Sequence, residues 1–192
     1  NIVRSLLDFS RDRAFKKESL SLKDLFNDTI QFVKGEVPTK IVLSLSIPED
    51  IVIFADKQRI QQALLNLIKN AIDAISPEEG TITVKAVKRR AMDDIENEKI
   101  GIYNYLKYRG KCTLDQDTVD IEIQDSGSGI PLDLISKIFD PFFTTKDVGK
   151  GSGLGLFIAH EIIEEHDGCI AVDSQPGTGT RFLIRLPLKD NA

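Results

Sequence analysis

The chain has 192 residues, 41% of them hydrophobic, and a formal net charge of -5, which supports one good core with a small appendage and argues against a nucleic-acid surface, where Lys and Arg must cluster. The one basic cluster, Lys85–Arg90, is faced by acids at Asp93–Glu98 and reads as a solvated loop. Apolar runs of a few residues are too short for a membrane span, no signal-peptide pattern opens the chain, and two cysteines, Cys112 and Cys169, fit a reducing compartment, so a cytoplasmic module is expected, whatever anchors its parent protein elsewhere.

Residues Asn1 to about Lys16 predict a helix with Ile2, Val3, Leu6, Leu7 and Phe9 in a stripe, ending in the charged run Arg11 to Glu18. Such a helix packs on its own domain or seeks a partner helix. Ser21–Lys34 places Leu22, Leu25, Phe26, Ile30 and Val33 on one face behind a Ser21 cap, with Asp24 three residues on. Ile41–Ile47 and Ile51–Ala55 read as two strands joined by a turn after Pro48. Asp56 caps a helix over Lys57–Ile75, whose core face is Ile60, Ala63, Leu64, Leu67, Ile68, Ala71, Ile72 and Ile75. Asn66, Asn70 and Asp73 run along its flank. That stripe is a solvated side or a site, and asparagine is only a middling helix former. Thr81–Val87 and Thr118–Gln124 alternate as half-buried strands, separated by an insert over 88–117 that holds Tyr103, Tyr105 and Tyr108. The insert reads as an extended hairpin or short helix, or as a docking surface. Cys169–Asp173 and Thr180–Leu186 predict strands joined by a Pro-Gly turn, and both histidines, His160 and His166, are expected to be structural.

Between these strands, Asp125–Leu156 carries two glycine clusters, DSGSGIP and GKGSGLGL, around the aromatic segment FDPFFTTK. Glycine lets the backbone approach a ligand closely, at an entropic cost that an ordinary loop would not need. Leu154, Phe157, Ile158 and Ile162 then share one helical face, so a helix begins inside the second cluster and turns its free N–H groups toward whatever the glycines surround. Phosphate fits such a place. A Walker A loop is excluded because Gly151 follows Lys150, and the GxGxGxG spacing with no preceding strand disfavours a dinucleotide fold; the signatures of protein kinases are absent.

Five motifs in order, NLIKN at Asn66–Asn70, DSGSG, FDPFFTTK, GKGSGLGL and GTGT at Gly177–Thr180, resemble the N, G1, F, G2 and final glycine boxes of the ATP-binding catalytic domain of bacterial sensor histidine kinases. That family lies in the wider group of DNA gyrase, heat-shock chaperone and mismatch-repair ATPases. The resemblance implies an α/β two-layer sandwich of the Bergerat type: a mixed, mostly antiparallel sheet with helices Ser21–Lys34, Lys57–Ile75 and Ser152–Glu165 on one face, and an ATP lid from Thr144 to about Ser152. It also implies that residues 1–18 end the second helix of a dimerisation hairpin and that 19–192 form the catalytic domain, with 88–117 longer than the family's usual connection.

By the same resemblance Asn70 ligates Mg²⁺, with Asn66 one turn earlier near the γ-phosphate, and Asp125 accepts from the adenine amino group. Gly127, Gly129 and Ile130 pass the base, while Thr180, with Gly177 and Gly179, closes the adenine side. Phe142 and Phe143 form the lid's foot, and Gly151, Ser152, Gly153, Leu154 and Gly155 surround the phosphates at the helix start; Lys146 and Lys150 either meet those phosphates as point charges or lie on the surface. Asp73 departs from the basic or aromatic residue common there. The implied activity is transfer of the ATP γ-phosphoryl group, with Asn66 and Lys146 catalytic, to a histidine outside the chain, and onward transfer to a response-regulator receiver domain. The parent would be a homodimer presenting a phosphoacceptor helix; nucleic acid and membrane are not expected partners. A hydrolytic ATPase, an anti-sigma-type serine kinase and a non-catalytic nucleotide module are the alternatives. Asn66 stands where the wider group's ATPases carry Glu, and an amide cannot take a proton from water at neutral pH.

Overall fold

A computed structural model describes residues 15–75, 79–91, 107–110, 116–147 and 151–188. In chain order the elements are β1 (Glu18–Ser21), α1 (Leu22–Val33), β2 (Ile41–Ser46), β3 (Val52–Ala55), α2 (Lys57–Ile75), β4 (Gly80–Arg89), β5 (Lys107–Gly110), β6 (Thr118–Asp125), the short α3 (Leu132–Ile135), α4 (Gly155–Glu165), β7 (Cys169–Gln175) and β8 (Gly179–Pro187). Among the described residues six strands form one sheet in the order β2-β4-β6-β8-β7-β5, and β1 and β3 form a separate pair. Only β2 and β4 run parallel; the other pairs are antiparallel, as a mixed, mostly antiparallel sheet requires.

The helices cover one face of that sheet. α2 buries Ile60, Ala63, Leu64, Leu67, Ile68, Ala71, Ile72 and Ile75, the residues that a 100° rotation per position aligns. They meet Ile82 and Val84 of β4, Ile121 and Ile123 of β6, and Ile158 and Ile162 of α4 in one continuous core. Each fully buried Leu or Ile there contributes about 2 kcal/mol. Both predicted caps form: Ser21 Oγ accepts from Asp24 N at 3.2 Å, and Asp56 Oδ1 accepts from Gln58 N and Arg59 N, both at 3.1 Å. Each satisfies amides that the helix itself leaves unpaired.

Several expectations need correction. The strands over 41–46 and 52–55 are not paired with each other: β2 lies on β4, whereas β3 takes β1 as its partner in the register Glu18↔Ala55. Sequence spacing allowed a hairpin, but it is the β1–β3 pairing that buries Leu20, Ile53 and Ala55. Glu18 accordingly opens a strand and residues 15–17 are not helical, where the expected helix ran to about Lys16; the rest of the expected stub, 1–14, lies outside the described residues. Lys85–Arg89 of the basic cluster belong to β4 and not to a solvated loop, and within the insert Lys107–Gly110 form β5 on the sheet's edge; Tyr103 and Tyr105 lie outside the described residues. Cys169 is buried and disulfide-bonded, against the expectation of reduced cysteines. The β5–β7 register sets Gly110 opposite Cys169, an approach across strands that spacing along the chain does not reveal; Cys112 lies outside the described residues.

His166 is structural, as expected. Nδ1 donates to Ile162 O at 2.7 Å, so Nε2 is left to accept the Asp56 amide at 3.0 Å, tying the end of α4 to the start of α2. Burial holds its pKa below the ordinary imidazole value, which keeps this neutral tautomer. Phe15 packs edge-on against the ring at 5.0 Å, and Lys16 N donates to Asp56 Oδ2 at 3.0 Å, fixing where the chain enters the domain. Among the described residues no helix is long and apolar enough to cross a membrane.

Candidate functional site

A cavity of about 420 Å³ opens between the C-terminal half of α2, the ends of β6 and β8, α3 with its flanking turns, and the segments 143–146 and 151–156, a size within the range of nucleotide-sized ligand sites. Its inner end is built on Asp125, the last residue of β6, which is 4% exposed. Oδ1 accepts Gly127 N at 2.8 Å and Thr180 N at 3.2 Å, which leaves Oδ2 for another donor. Burial pushes the carboxyl up to about 6, the two N–H donors offsetting only part of that cost. The site therefore holds a desolvated acceptor of fixed direction.

Beside it, Gly129 turns the chain with φ +69°, and a Cβ there would lie 2.1 Å from the Gln175 carbonyl oxygen, so the turn excludes other residues. Ser174 was not singled out from sequence, yet it organises this end. Its Oγ accepts Ile130 N at 2.8 Å and donates to Gly179 O at 2.9 Å, leaving the Thr180 hydroxyl, also at 2.9 Å, to donate to it. The pairing of Ser174 with Thr180 is a matter of β7–β8 register, which no local signal carries.

The outer end is positive. α4 begins at Gly155 without a side-chain cap, and Gly155 and Leu156 line the cavity, so the free N–H groups and dipole of the helix face it. Gly153, at φ +67°, makes this possible: a Cβ would lie 2.3 Å from the Phe142 carbonyl carbon. From the opposite wall Lys146 reaches α2, its Nζ donating to Asp73 Oδ2 at 2.5 Å and Asn70 Oδ1 at 3.2 Å. A cation thus already rests on the Asn70 oxygen, and hard oxygen donors of this kind suit Mg²⁺.

Of the sequence-predicted residues, the fold brings Asn70, Asp125, Gly129, Ile130, Lys146, Gly151, Ser152, Gly153, Gly155 and Thr180 to this cavity. Gly127 is beside it with its N–H on Asp125. Asn66 is not among the lining residues but faces the start of α4, its Cγ 3.8 Å from where a Gly155 Cβ would stand. Leu154 is buried in the core as the residue before α4. Phe142 points outward, 59% exposed at φ 66°, and Phe143 takes the cavity position expected of both. Lys150 lies outside the described residues.

The profile of the histidine kinase-, DNA gyrase B- and HSP90-like ATPases matches residues 55–190. The sensor kinase CckA of Brucella abortus is 39% identical over 188 residues, which cover 97% of this chain and 19% of that protein. The catalytic domain of histidine kinase ThkA superposes with a TM-score of 0.69 at 28% identity, covering 90% of this chain and 95% of that one. ThkA in complex with the response regulator protein TrrA gives 0.68 at 26% identity over 98% of this chain and 46% of that one. The chain spans well under half the length of the curated relatives it matches.

Proposed function

Since the chain belongs to the histidine kinase-, DNA gyrase B- and HSP90-like ATPase family and is an ATP-binding domain, we propose that it is the catalytic domain of a sensor histidine kinase, passing the γ-phosphoryl group to a histidine on a separate segment. In that transfer the bond from the γ-phosphorus to the β,γ-bridging oxygen breaks, ADP departs, and a phosphorus–nitrogen bond forms on an imidazole whose proton is lost to solvent. Asp125 receives the adenine amino group, Thr180 and Ile130 border the base, and the N-terminus of α4 with Lys146 balances the phosphate charge. Asn70 would hold Mg²⁺, which neutralises phosphate charge when bound. The receiver domain that takes the phosphoryl group onward belongs to the same proposal, supported by the likeness to the ThkA–TrrA structure; the dimer and the phosphoacceptor helix rest on the motif resemblance alone.

One observation favours transfer over hydrolysis. Among the described residues two carboxylates line the cavity, and neither is a free base: Asp125 is buried at the far end with two N–H groups on one oxygen, and Asp73 is bonded to Lys146. Asn66 cannot serve, because an amide does not accept a proton at neutral pH. Among the described residues, water entering the cavity therefore meets no carboxylate without a partner. The test is γ-labelled ATP with the chain alone, then with the parent's helical hairpin added. Acid-labile, base-stable label on the hairpin and little free phosphate is the expected result. Steady phosphate release from the chain alone would instead identify a hydrolase.

A further inference from the structure

We propose that Asp73 is a positioning residue: it holds the Lys146 ammonium at the phosphate end of the cavity, so that a carboxylate beside a polyphosphate strengthens nucleotide binding. The inference rests on the ATP reading of the cavity and adds a role for a residue that the nucleotide chemistry alone leaves unexplained. Alone, a carboxylate at that end would repel the ligand. Among the described residues that line the cavity, Asp73 is the one carboxylate at the end where α4 and Lys146 present positive charge.

The geometry specifies the pairing. Asn70 and Asp73 stand three residues apart on α2, so their oxygens face the same side and converge on one nitrogen, Lys146 Nζ. Lys146 itself lies in an irregular segment, where a four-carbon side chain would otherwise sample many rotamers. Its other end is also fixed: its backbone N–H donates to Thr144 Oγ1 at 3.1 Å, and Gly151 leaves room for the stem, since a Cβ there would sit 3.2 Å from both Cβ and Cδ of Lys146. The pair contributes little to folding, because the side chains are 36% and 53% exposed and such pairs are screened by solvent. What it changes is where the positive charge stands. When Asn70 turns its oxygen to another cation, Asp73 still retains Lys146 within the cavity wall.

The sign of a charge effect separates this role from mere proximity. ATP and adenosine affinities would be measured by calorimetry for the chain and for Asp73→Asn, Lys146→Met, the double variant and Asp73→Glu. If Asp73 acts through Lys146, Asp73→Asn weakens ATP binding about five- to tenfold, and Asp73→Glu recovers most of it. In the Lys146→Met background, where the carboxylate only repels, Asp73→Asn tightens ATP binding about two- to fivefold. Adenosine, lacking phosphates, binds all of them equally. Unchanged or tighter ATP binding by Asp73→Asn in the otherwise native chain, or the same sign in both backgrounds, overturns the positioning role while leaving the nucleotide site intact. Failure of the native chain to bind either ligand overturns the nucleotide reading, and this proposal with it.

Discussion

At Asp125 the demands of folding and of recognition oppose each other. A carboxylate 4% exposed is costly to ionise, and its pKa rises to about 6 because burial outweighs the two N–H donors. A folded pKa above the unfolded value of 3.8 means that its contribution to stability is fully present below pH 3.8 and lost as pH rises through 6. At pH 7.5 the ionised group costs the fold on the order of 3 kcal/mol. Asp125→Asn is therefore expected to melt above the native chain at pH 7.5, with the gap shrinking as pH falls from 7 to 5, as followed by thermal melts. Recognition runs the other way: adenosine affinity of the native chain should decline as pH drops through about 6, whereas Asp125→Asn binds about tenfold more weakly at neutral pH with a flat profile. A pH-independent difference in melting, or a native profile as flat as the variant's, would remove the buried carboxylate from both roles. Asp125 could be singled out from sequence because it opens a motif. Ser174 could not, since its value depends on facing Thr180 across two strands and on an amide forty-four positions away.

The element most legible in the sequence was α2, because an amphipathic helix announces both its length and its buried face through one repeating angle. The lid's foot was less so: Phe142 and Phe143 are chemically alike, and which of them turns inward is decided by a positive φ at Phe142. That conformation is coupled to Gly153, whose own φ is +67° and whose missing Cβ makes room for the Phe142 carbonyl. Gly153→Ala should therefore act on one element. The added methyl strains the backbone by about 1–2 kcal/mol and displaces the Phe142 peptide, so the start of α4 no longer faces the cavity squarely. ATP affinity is expected to fall about tenfold or more, while the far-ultraviolet circular dichroism and the cooperativity of unfolding persist, since the α2–α4 core is untouched. Native affinity in this variant would show that the N-terminus of α4 does not meet the phosphates.

For the whole molecule, alternation marks Thr81–Val87 and Thr118–Gln124 as half-buried strands, which leaves the other face of the sheet to solvent. That face is instead partly buried: Asp120 is 5% exposed and Arg185 4%, bonded through both Arg185 Nε and Nη2, with Arg89 Nε adding a third contact to the same carboxylate. Thr118 and Asp173 are buried there as well. A period-two pattern reads polar residues as exposed, and cannot distinguish a solvated side from one on which charges neutralise each other under cover. Burying an ion pair gains little over an apolar replacement, whereas removing one partner leaves a charge that water can no longer reach. The two cases predict different ledgers for the same site. Asp120→Ala should destabilise the chain by about 3 kcal/mol, and far more than Glu122→Ala, whose carboxylate contacts Arg181 at 3.3 Å on a more exposed stretch. Adding Arg185→Met to Asp120→Ala should restore a large part of the loss, because the stranded guanidinium is then gone. Denaturant unfolding measures all of these. A loss for Asp120→Ala within about 0.5 kcal/mol would be the signature of a solvated pair, and would return this face of the sheet to the solvent that the strand pattern assigned it.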